Sequence, residues 1–250
     1  MRNSPLDFQA DPALRQSTLI AWIAGIVVLL IVAALAIPGL FASGRVSNDR
    51  SAWSRLKSLT SAEADFRAND RDWNQVNDYW TGDVKSLYTL TSSAILGVGG
   101  EPDDPPIKLI ERALAAADAD GQRIDAGGEN GDLASTTLPS PRDGYWYAAL
   151  SLDLSAPNGA ESIYQVDTGG RPAMGSCHNL SRFGFVSFPD SQSAGPYVYI
   201  VNQNNTVFRR STTGPLRTGD SIPPGLKGIA SEYRNWPKDA DLKSWWSPVP

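Results

Sequence analysis

The chain has 250 residues, a formal net charge of −5 and a pI near 4.9. This acidic balance argues against nucleic acid as a partner, because an excess of negative charge repels phosphates. The single cysteine, Cys177, excludes a disulfide within the chain.

Residues 1–16 form a short polar tail, and an apolar stretch follows it. The stretch Leu19–Phe41 holds 23 residues without a charge. A helix rises about 1.5 Å per residue and a bilayer core needs about 20 apolar residues, so this stretch is long enough to cross a membrane. Apolar side chains on every side of a helix favour lipid over a half-buried position. The sequence therefore predicts a transmembrane helix over residues 17–41, with cleavage after Ala36 or Gly44 as the alternative.

Three features of the N-terminal segment occur in a characteristic order. They are the STLI block Ser17–Ile20, the AIP of Ala36–Pro38 near the end of the apolar run, and the leucine- and alanine-patterned segment Ser54–Ala64. Over residues 16–68 this order resembles the N-terminal helix of type IV pilins and type II secretion pseudopilins. The resemblance implies a long helix packed on an antiparallel sheet. It also implies a structural subunit of a surface fibre or secretion apparatus, which contacts copies of itself or other pilin-like subunits.

Two positions depart from the family pattern. Gln16 stands where the family has the glycine after which prepilin peptidase cuts, so that Ser17 matches the first mature residue. Ala21 stands where the family has the glutamate that helps subunits enter the fibre. We therefore expect residues 1–16 to stay attached to the mature chain.

The membrane orientation follows from the resemblance. It implies a single-pass inner-membrane protein with a periplasmic or extracellular C-terminal head, so that Arg2 and Arg15 lie inside. The positive-inside rule favours the reverse orientation, because the other flank carries more basic residues. These residues are Arg45, Arg50, Arg55 and Lys57.

Residues 42–68 are predicted to continue the helix in an amphipathic form. Apolar residues recur at steps of three and four, which is typical of a helix with one apolar stripe. We expect the stripe to pack on the sheet of the head, and a fibre-packing surface on its upper part is the alternative. The stripe consists of Trp53, Leu56, Leu59, Ala62 and Phe66.

A segment rich in acidic and amide residues opens the predicted head, residues 69–250. Its oxygen donors match positions 1, 3, 5, 7 and 9 of a calcium-binding loop, and a later aspartate is the candidate closing ligand. Calcium is therefore the predicted cofactor, although Gln75 stands where such a loop has its glycine and Thr81 where it has its glutamate. The alternative is a solvated loop with Asx turns. The candidate ligands are Asp70, Asp72, Asn74, the Val76 carbonyl, Asp78 and Asp83.

The rest of the head is predicted to contain two helices and then strands. The helices cover residues 83–96 and 105–118, and a breaker-rich loop covers 119–143. Alternating and β-branched runs predict strands from residue 144 onward, with a turn at 203–205 and a short helix from Ala240 to Trp246. The predicted strands are 144–153, 162–167, 182–190, 197–202 and 206–210. Helices followed by sequential strands give an α+β fold with an antiparallel sheet.

Enzyme chemistry has little support in the sequence. The only histidine, His178, directly follows Cys177, and adjacent side chains usually point in opposite directions. No phosphate-binding or dinucleotide-binding motif occurs, so we predict that the chain is not an enzyme.

These features predict a membrane-anchored, pilin-like or pseudopilin-like structural subunit whose partners are the lipid bilayer and pilin-like chains. The first alternative is a calcium-dependent extracytoplasmic binding module that is anchored but does not polymerise. The second alternative is a membrane-anchored hydrolase.

Overall fold

The computed structural model describes seven segments of the chain. They are residues 12–90, 106–119, 139–155, 162–170, 175–191, 193–212 and 234–249. In the first helix, side chains are described at 22, 23, 25–32 and from 43 onward.

The first helix, α1, spans Pro12–Asn69. The chain divides into two compact units, one ending at Gly44 and one beginning at Arg45. Among the described residues, no helix combines the length and the apolarity needed to cross a membrane. The predicted transmembrane stretch lies partly outside that description, because the side chains of 33–42 are not included in it.

The second half of α1 carries the predicted apolar stripe, and the structure confirms that it packs in the core. Leu56, Leu59 and Phe66 are fully buried, Ala62 is nearly so, and Trp53 packs against their edge. Polar contacts add to this docking. Asn48 donates to the carbonyl of Ala194 at 3.1 Å, and Thr60 donates to Asn205 Oδ1 at 3.0 Å.

Within the described residues, the two helices predicted after α1 are much shorter than expected. Helix α2 covers only Ser86–Thr89 and α3 only Arg112–Ala116. The prediction is wrong because the backbone around α2 pairs with a distant segment. The amide of Leu109 donates to the carbonyl of Leu87 at 2.9 Å, so that carbonyl is not free to continue the helix. The remainder of the first predicted helix, 91–96, lies outside the described residues, as do 105 and 120–138.

The described part of the head contains ten strands in three sheets. The main sheet has five antiparallel strands in the order β10-β8-β7-β6-β2. A three-stranded sheet has the order β4-β3-β9, and β1 pairs with β5. The strands are β1 Tyr79–Trp80, β2 Tyr145–Ala149, β3 Leu152–Asp153, β4 Ser162–Ile163, β5 His178–Asn179, β6 Gly184–Pro189, β7 Tyr197–Asn202, β8 Phe208–Ser211, β9 Asn235–Trp236 and β10 Ser247–Pro248.

The fold is therefore α+β with an antiparallel main sheet, as the sequence predicted, whereas the three-stranded sheet is mixed because β3 pairs parallel with β9. The strand predicted at 144–153 breaks into β2 and β3, and the one at 162–167 shortens to β4 with an isolated bridge at Val166. The segments between β2 and β6 leave the main sheet for the small ones, so β2 pairs with β6 rather than with its neighbour in sequence.

The main sheet has a hydrophobic core on each face. Side chains along a strand alternate between the two faces, so neighbouring residues of β2 join different cores. Tyr145 and Tyr147 of β2 join the core that contains the stripe of α1. Trp146 and Ala148 of the same strand face a second core.

The second core is closed by the C-terminal segment. Trp236 of β9 and Trp246 are buried there, next to helix α4, Asp239–Trp245. Trp246 completes this core, whereas the adjacent Trp245 keeps 48% of its surface exposed.

Candidate functional site

The loop after α1 is built by backbone turns that point alternate side chains inward. The amide of Arg71 donates to the Phe66 carbonyl at 3.2 Å where the helix ends, and Asp70 has a positive φ of 46°. Aspartate tolerates this left-handed conformation better than most residues. As a result, Asp72 is fully buried while its neighbour Trp73, also at positive φ, leaves 64% of its surface exposed.

Three buried side chains meet below this loop, and we call them the Asp-His cluster: Asp72, Asp78 and His178. One ligand-type atom from each lies within 4.8 Å of the others. His178 Nε2 is 2.7 Å from Asp72 Oδ2. The histidine is brought there by the short antiparallel pair β1–β5, in which His178 stands opposite Trp80. The ring of Trp80 contacts the imidazole edge-on, with centroids 5.2 Å apart, and this contact fixes the orientation of the imidazole.

Neighbouring polar groups hold the carboxylate of Asp78. Thr168 Oγ1 donates to Asp78 Oδ2 at 2.5 Å, and Asn74 Nδ2 lies 3.3 Å from the same oxygen. The opposite side of the cluster faces α1, where Glu63 is fully buried and accepts the amide of Trp80 at 3.0 Å. The cluster therefore joins the end of α1, the loop after it and β5.

The electrostatics of the cluster reflect a surplus of buried carboxylates. Burial raises the pKa of Glu63 well above its usual value, and burial also raises the pKa of Asp78. The pKa of Asp70 is raised by burial and by the adjacent Asp72 carboxyl. Burial alone would lower the pKa of His178, but its hydrogen bonds to Asp72 and Cys177 outweigh that effect and raise it to about 10.

The six predicted calcium ligands do not converge on one point and have different partners. Asp72 and Asp78 come together, but with His178 rather than with the other four. Asn74 uses its Oδ1 to accept the amide of Val76 at 2.7 Å in an Asx turn and presents its Nδ2 to Asp78.

The backbone and the remaining two aspartates have other partners. The Val76 carbonyl accepts the Asp78 amide at 2.9 Å, and Asp70 Oδ2 accepts the Gln75 amide at 3.1 Å. Asp83 Oδ1 accepts the amide of Ser86 at 2.8 Å, at the start of α2. These contacts differ from the alternating arrangement expected of a calcium loop, and calcium at this position stays a prediction.

The adjacent pair Cys177 and His178 corrects a further expectation. The two side chains were expected to point apart, yet Cys177 Sγ lies 3.4 Å from His178 Nδ1. Thiol, imidazole and the Asp72 carboxylate thus lie in one hydrogen-bonded series. Sequence reasoning missed the partnership of His178 with Asp72 because 106 residues separate them.

No protein-family model matches the chain, and no curated protein or solved structure matches it either. The resemblance to pilins and pseudopilins therefore stays a prediction from the residues of the N-terminal helix.

Proposed function

We propose that this chain is a membrane-anchored, pilin-like structural subunit whose head lies outside the cytoplasm. The first half of α1 carries the observation that supports this proposal most directly, a continuous run of exposed apolar side chains. Soluble surfaces rarely expose a large contiguous apolar patch unless another molecule or a membrane covers it. The exposed residues are Trp22, Ile23, Ile26, Val27, Val28, Leu29, Leu30, Ile31 and Val32.

Lipid is the covering that fits this run best. The sequence continues without a charge to Phe41, which gives it the length of a bilayer core. Beyond residue 45 the helix changes character and buries its stripe against an antiparallel sheet. A helix that is apolar all round and then becomes amphipathic supports an anchor followed by a head.

The proposed role is structural rather than catalytic. Residues 1–16 remain attached, because Gln16 replaces the glycine at the processing site. The partners in this proposal are the bilayer and other chains of the same kind, packed through their N-terminal helices.

Two measurements test the anchor and its orientation. We expect the chain to sediment with membranes, to resist extraction by carbonate and to be released by detergent. Protease added to intact spheroplasts is expected to digest the head. If the head is protected until lysis, the orientation is the reverse of the one proposed. If carbonate extracts the chain, the proposed membrane anchor is wrong.

A cysteine scan tests self-association, and the single native cysteine makes it simple. In a Cys177→Ser background, Val46→Cys places a thiol at a residue that is 61% exposed on α1. Subunits packed through their helices are expected to give disulfide-linked dimers on mild oxidation. Trp73→Cys, on an exposed residue of the head, serves as the control.

A cation-dependent binding module that does not polymerise is the second candidate. The Asp-His cluster favours it, because its three buried groups lie within 4.8 Å of one another and are of the types that bind cations. An anchored chain that gives no helix-to-helix disulfides would favour this candidate over the first.

A further inference from the structure

The Asp-His cluster and the nearby Glu63 place three buried carboxyl groups in one small region of the head. Glu63, Asp72 and Asp78 are all buried, and His178 lies within 4.8 Å of the last two. Glu63 accepts the amide of Trp80 at 3.0 Å, and the ring of Trp80 contacts His178 edge-on. Buried carboxylates are costly unless a cation or several donors compensate them.

Two oxygens of these carboxyl groups lack a hydrogen-bond donor in the part of the chain that the structure describes. Within the described residues, Asp72 Oδ1 and Glu63 Oε1 are buried and have no hydrogen-bond partner. A buried acceptor without a donor loses its water without replacement. Because Asp72 already gives its other oxygen to His178, its free oxygen lies beside the atoms of the cluster.

We propose that Asp72, Asp78 and His178 bind a divalent metal of the zinc class, with His178 Nε2 as the nitrogen ligand. Calcium takes oxygen ligands, whereas imidazole together with carboxylates suits zinc and its first-row neighbours. Three protein ligands and one water complete a four-coordinate site. This inference concerns the head alone and does not depend on membrane anchoring or on polymerisation.

The geometry requires small adjustments: His178 Nε2 and Asp72 Oδ2 move apart by about 0.6 Å, and the wider separations in the group close towards the same value. Ligand atoms at about 2.0–2.1 Å from a tetrahedral zinc lie roughly 3.3 Å from one another. The three groups already lie within 4.8 Å, and His178 and Asp72 are 2.7 Å apart. Binding replaces the proton shared by Nε2 and Asp72 Oδ2, so each metal ion releases a proton.

Two of the three proposed ligands also have hydrogen-bond partners of the kind that usually orient metal ligands. A ligating histidine normally has a hydrogen-bond partner at its other ring nitrogen, and Cys177 Sγ lies 3.4 Å from Nδ1. Thr168 holds the carboxylate of Asp78 at 2.5 Å. Cys177 is thus a positioning residue for the imidazole and is not a ligand of the metal.

The first test uses the purified full-length chain in detergent after treatment with EDTA. Zinc or cobalt is expected to bind at one ion per chain, to release a proton and to raise the melting temperature by several degrees. Cobalt is expected to show the visible absorption of a four-coordinate site without thiolate-to-metal charge transfer. Calcium and magnesium at the same concentrations are expected to leave the melting temperature unchanged. An equal or larger shift with calcium would overturn the zinc-class assignment, as would the absence of any metal effect.

Variants locate the site. His178→Gln and Asp78→Asn are each expected to abolish cobalt absorption and the zinc-induced shift. Asp239→Asn removes an exposed carboxylate from α4 and is the matched control, and it should keep both signals. Cys177→Ser should also keep them, because the thiol is not a ligand. Zinc binding that persists in His178→Gln would overturn the proposal.

A measurement on the wild-type chain covers the case in which the variants do not fold. His178 is the only histidine. Histidine labelled with nitrogen-15 therefore gives one imidazole, and zinc is expected to move its Nε2 resonance to that of a metal-bound nitrogen. Zinc that stabilises the chain without moving this resonance would overturn the assignment of His178 as a ligand.

Discussion

The described apolar side chains in the two halves of α1, before and after residue 45, are used in opposite ways. In the first half, Leu29 exposes 68% of its surface and its apolar neighbours point in all directions. In the second half, Leu59 is fully buried and belongs to a single stripe. The distribution of apolar residues around a helix, rather than their number, therefore indicates what covers it. An uncharged helix surrounded by apolar residues needs lipid or other chains, whereas a striped helix needs only one partner face.

The largest expected effect comes from placing charge in the first half. Leu29→Asp with Leu30→Asp is expected to cost about 5–7 kcal/mol of membrane insertion, since each central aspartate costs about 2.5–3.5 kcal/mol. The chain should move from the membrane fraction to the soluble or degraded fraction. Leu29→Ile with Leu30→Ile is the control and should stay with the membrane. Full retention of the double aspartate variant would contradict a lipid-facing position.

A matched leucine pair compares the two halves directly. Leu59→Ala removes a buried side chain from the core and is expected to lower the free energy of unfolding of the head by about 2–5 kcal/mol. Leu29→Ala makes the same chemical change at an exposed position in the same helix, and it should leave the unfolding of the head unchanged. Denaturant titration of both variants in detergent measures the difference. Equal effects would mean that the stripe is not the contact that holds the head.

The buried stripe in the second half of α1 could be predicted from the sequence alone. The stripe and strands β2, β6 and β7 were predicted within a few residues, because long periodic segments carry their own signal. The two-residue strands β1 and β5 have no period to detect. Helices α2 and α3 were overestimated, because tertiary pairing of Leu87 with Leu109 overrides their local pattern.

Only part of the candidate site could be predicted in the same way. Asp72 and Asp78 were singled out from their spacing, but His178 reaches them through a fold that no local pattern encodes. Asp83 has a partner that its spacing did not indicate. Its carboxylate accepts the amide of Ser86 at the beginning of α2, and an aspartate in such a role looks identical in sequence to a candidate ligand.

The second half of α1 ends at the Asp-His cluster. Substituting a polar side chain of this cluster should lower the free energy of unfolding by an intermediate amount. In the metal-free chain, His178→Gln is expected to cost about 1.5–3 kcal/mol, because a charged hydrogen bond to Asp72 is lost. The dependence on pH should change as well. The folded chain holds its imidazole proton up to a pKa of about 10, above the usual 6.5 of histidine.

The folded chain binds the imidazole proton of His178 more tightly than the unfolded chain does, so a rise in pH lowers the free energy of unfolding. The contribution of His178 is fully present below pH 6.5 and is lost as the pH rises through about 10. Melting temperatures of the EDTA-treated chain should therefore fall between pH 7 and pH 10, and His178→Gln should reduce that slope. A wild-type melting temperature that rises over this interval would contradict the imidazolium–carboxylate pair.

The solvent-facing side chains in the second half of α1 should contribute least to the free energy of unfolding of the head. Asp65 pairs with Arg71 at 2.9 Å, and both side chains are about two-fifths exposed. Asp65→Asn is expected to change the free energy of unfolding by less than about 1 kcal/mol, and the effect should shrink further in salt. A loss as large as that of Leu59→Ala would mean that the polar face of α1 is also buried against a partner.

The hydrogen bonds that fasten α1 to the head also constrain when the head folds. Asn48 meets Ala194 across 146 residues of sequence, and Thr60 meets Asn205 across 145. The strands that cover the helix are thus synthesised long after it, and the stripe has nothing to pack against until they exist. Topologies dominated by such distant contacts fold slowly, on the order of milliseconds to seconds. An emerging chain would therefore expose the stripe of α1 throughout synthesis, and the head would fold only after its last strands had been delivered to the same compartment as residues 45–69.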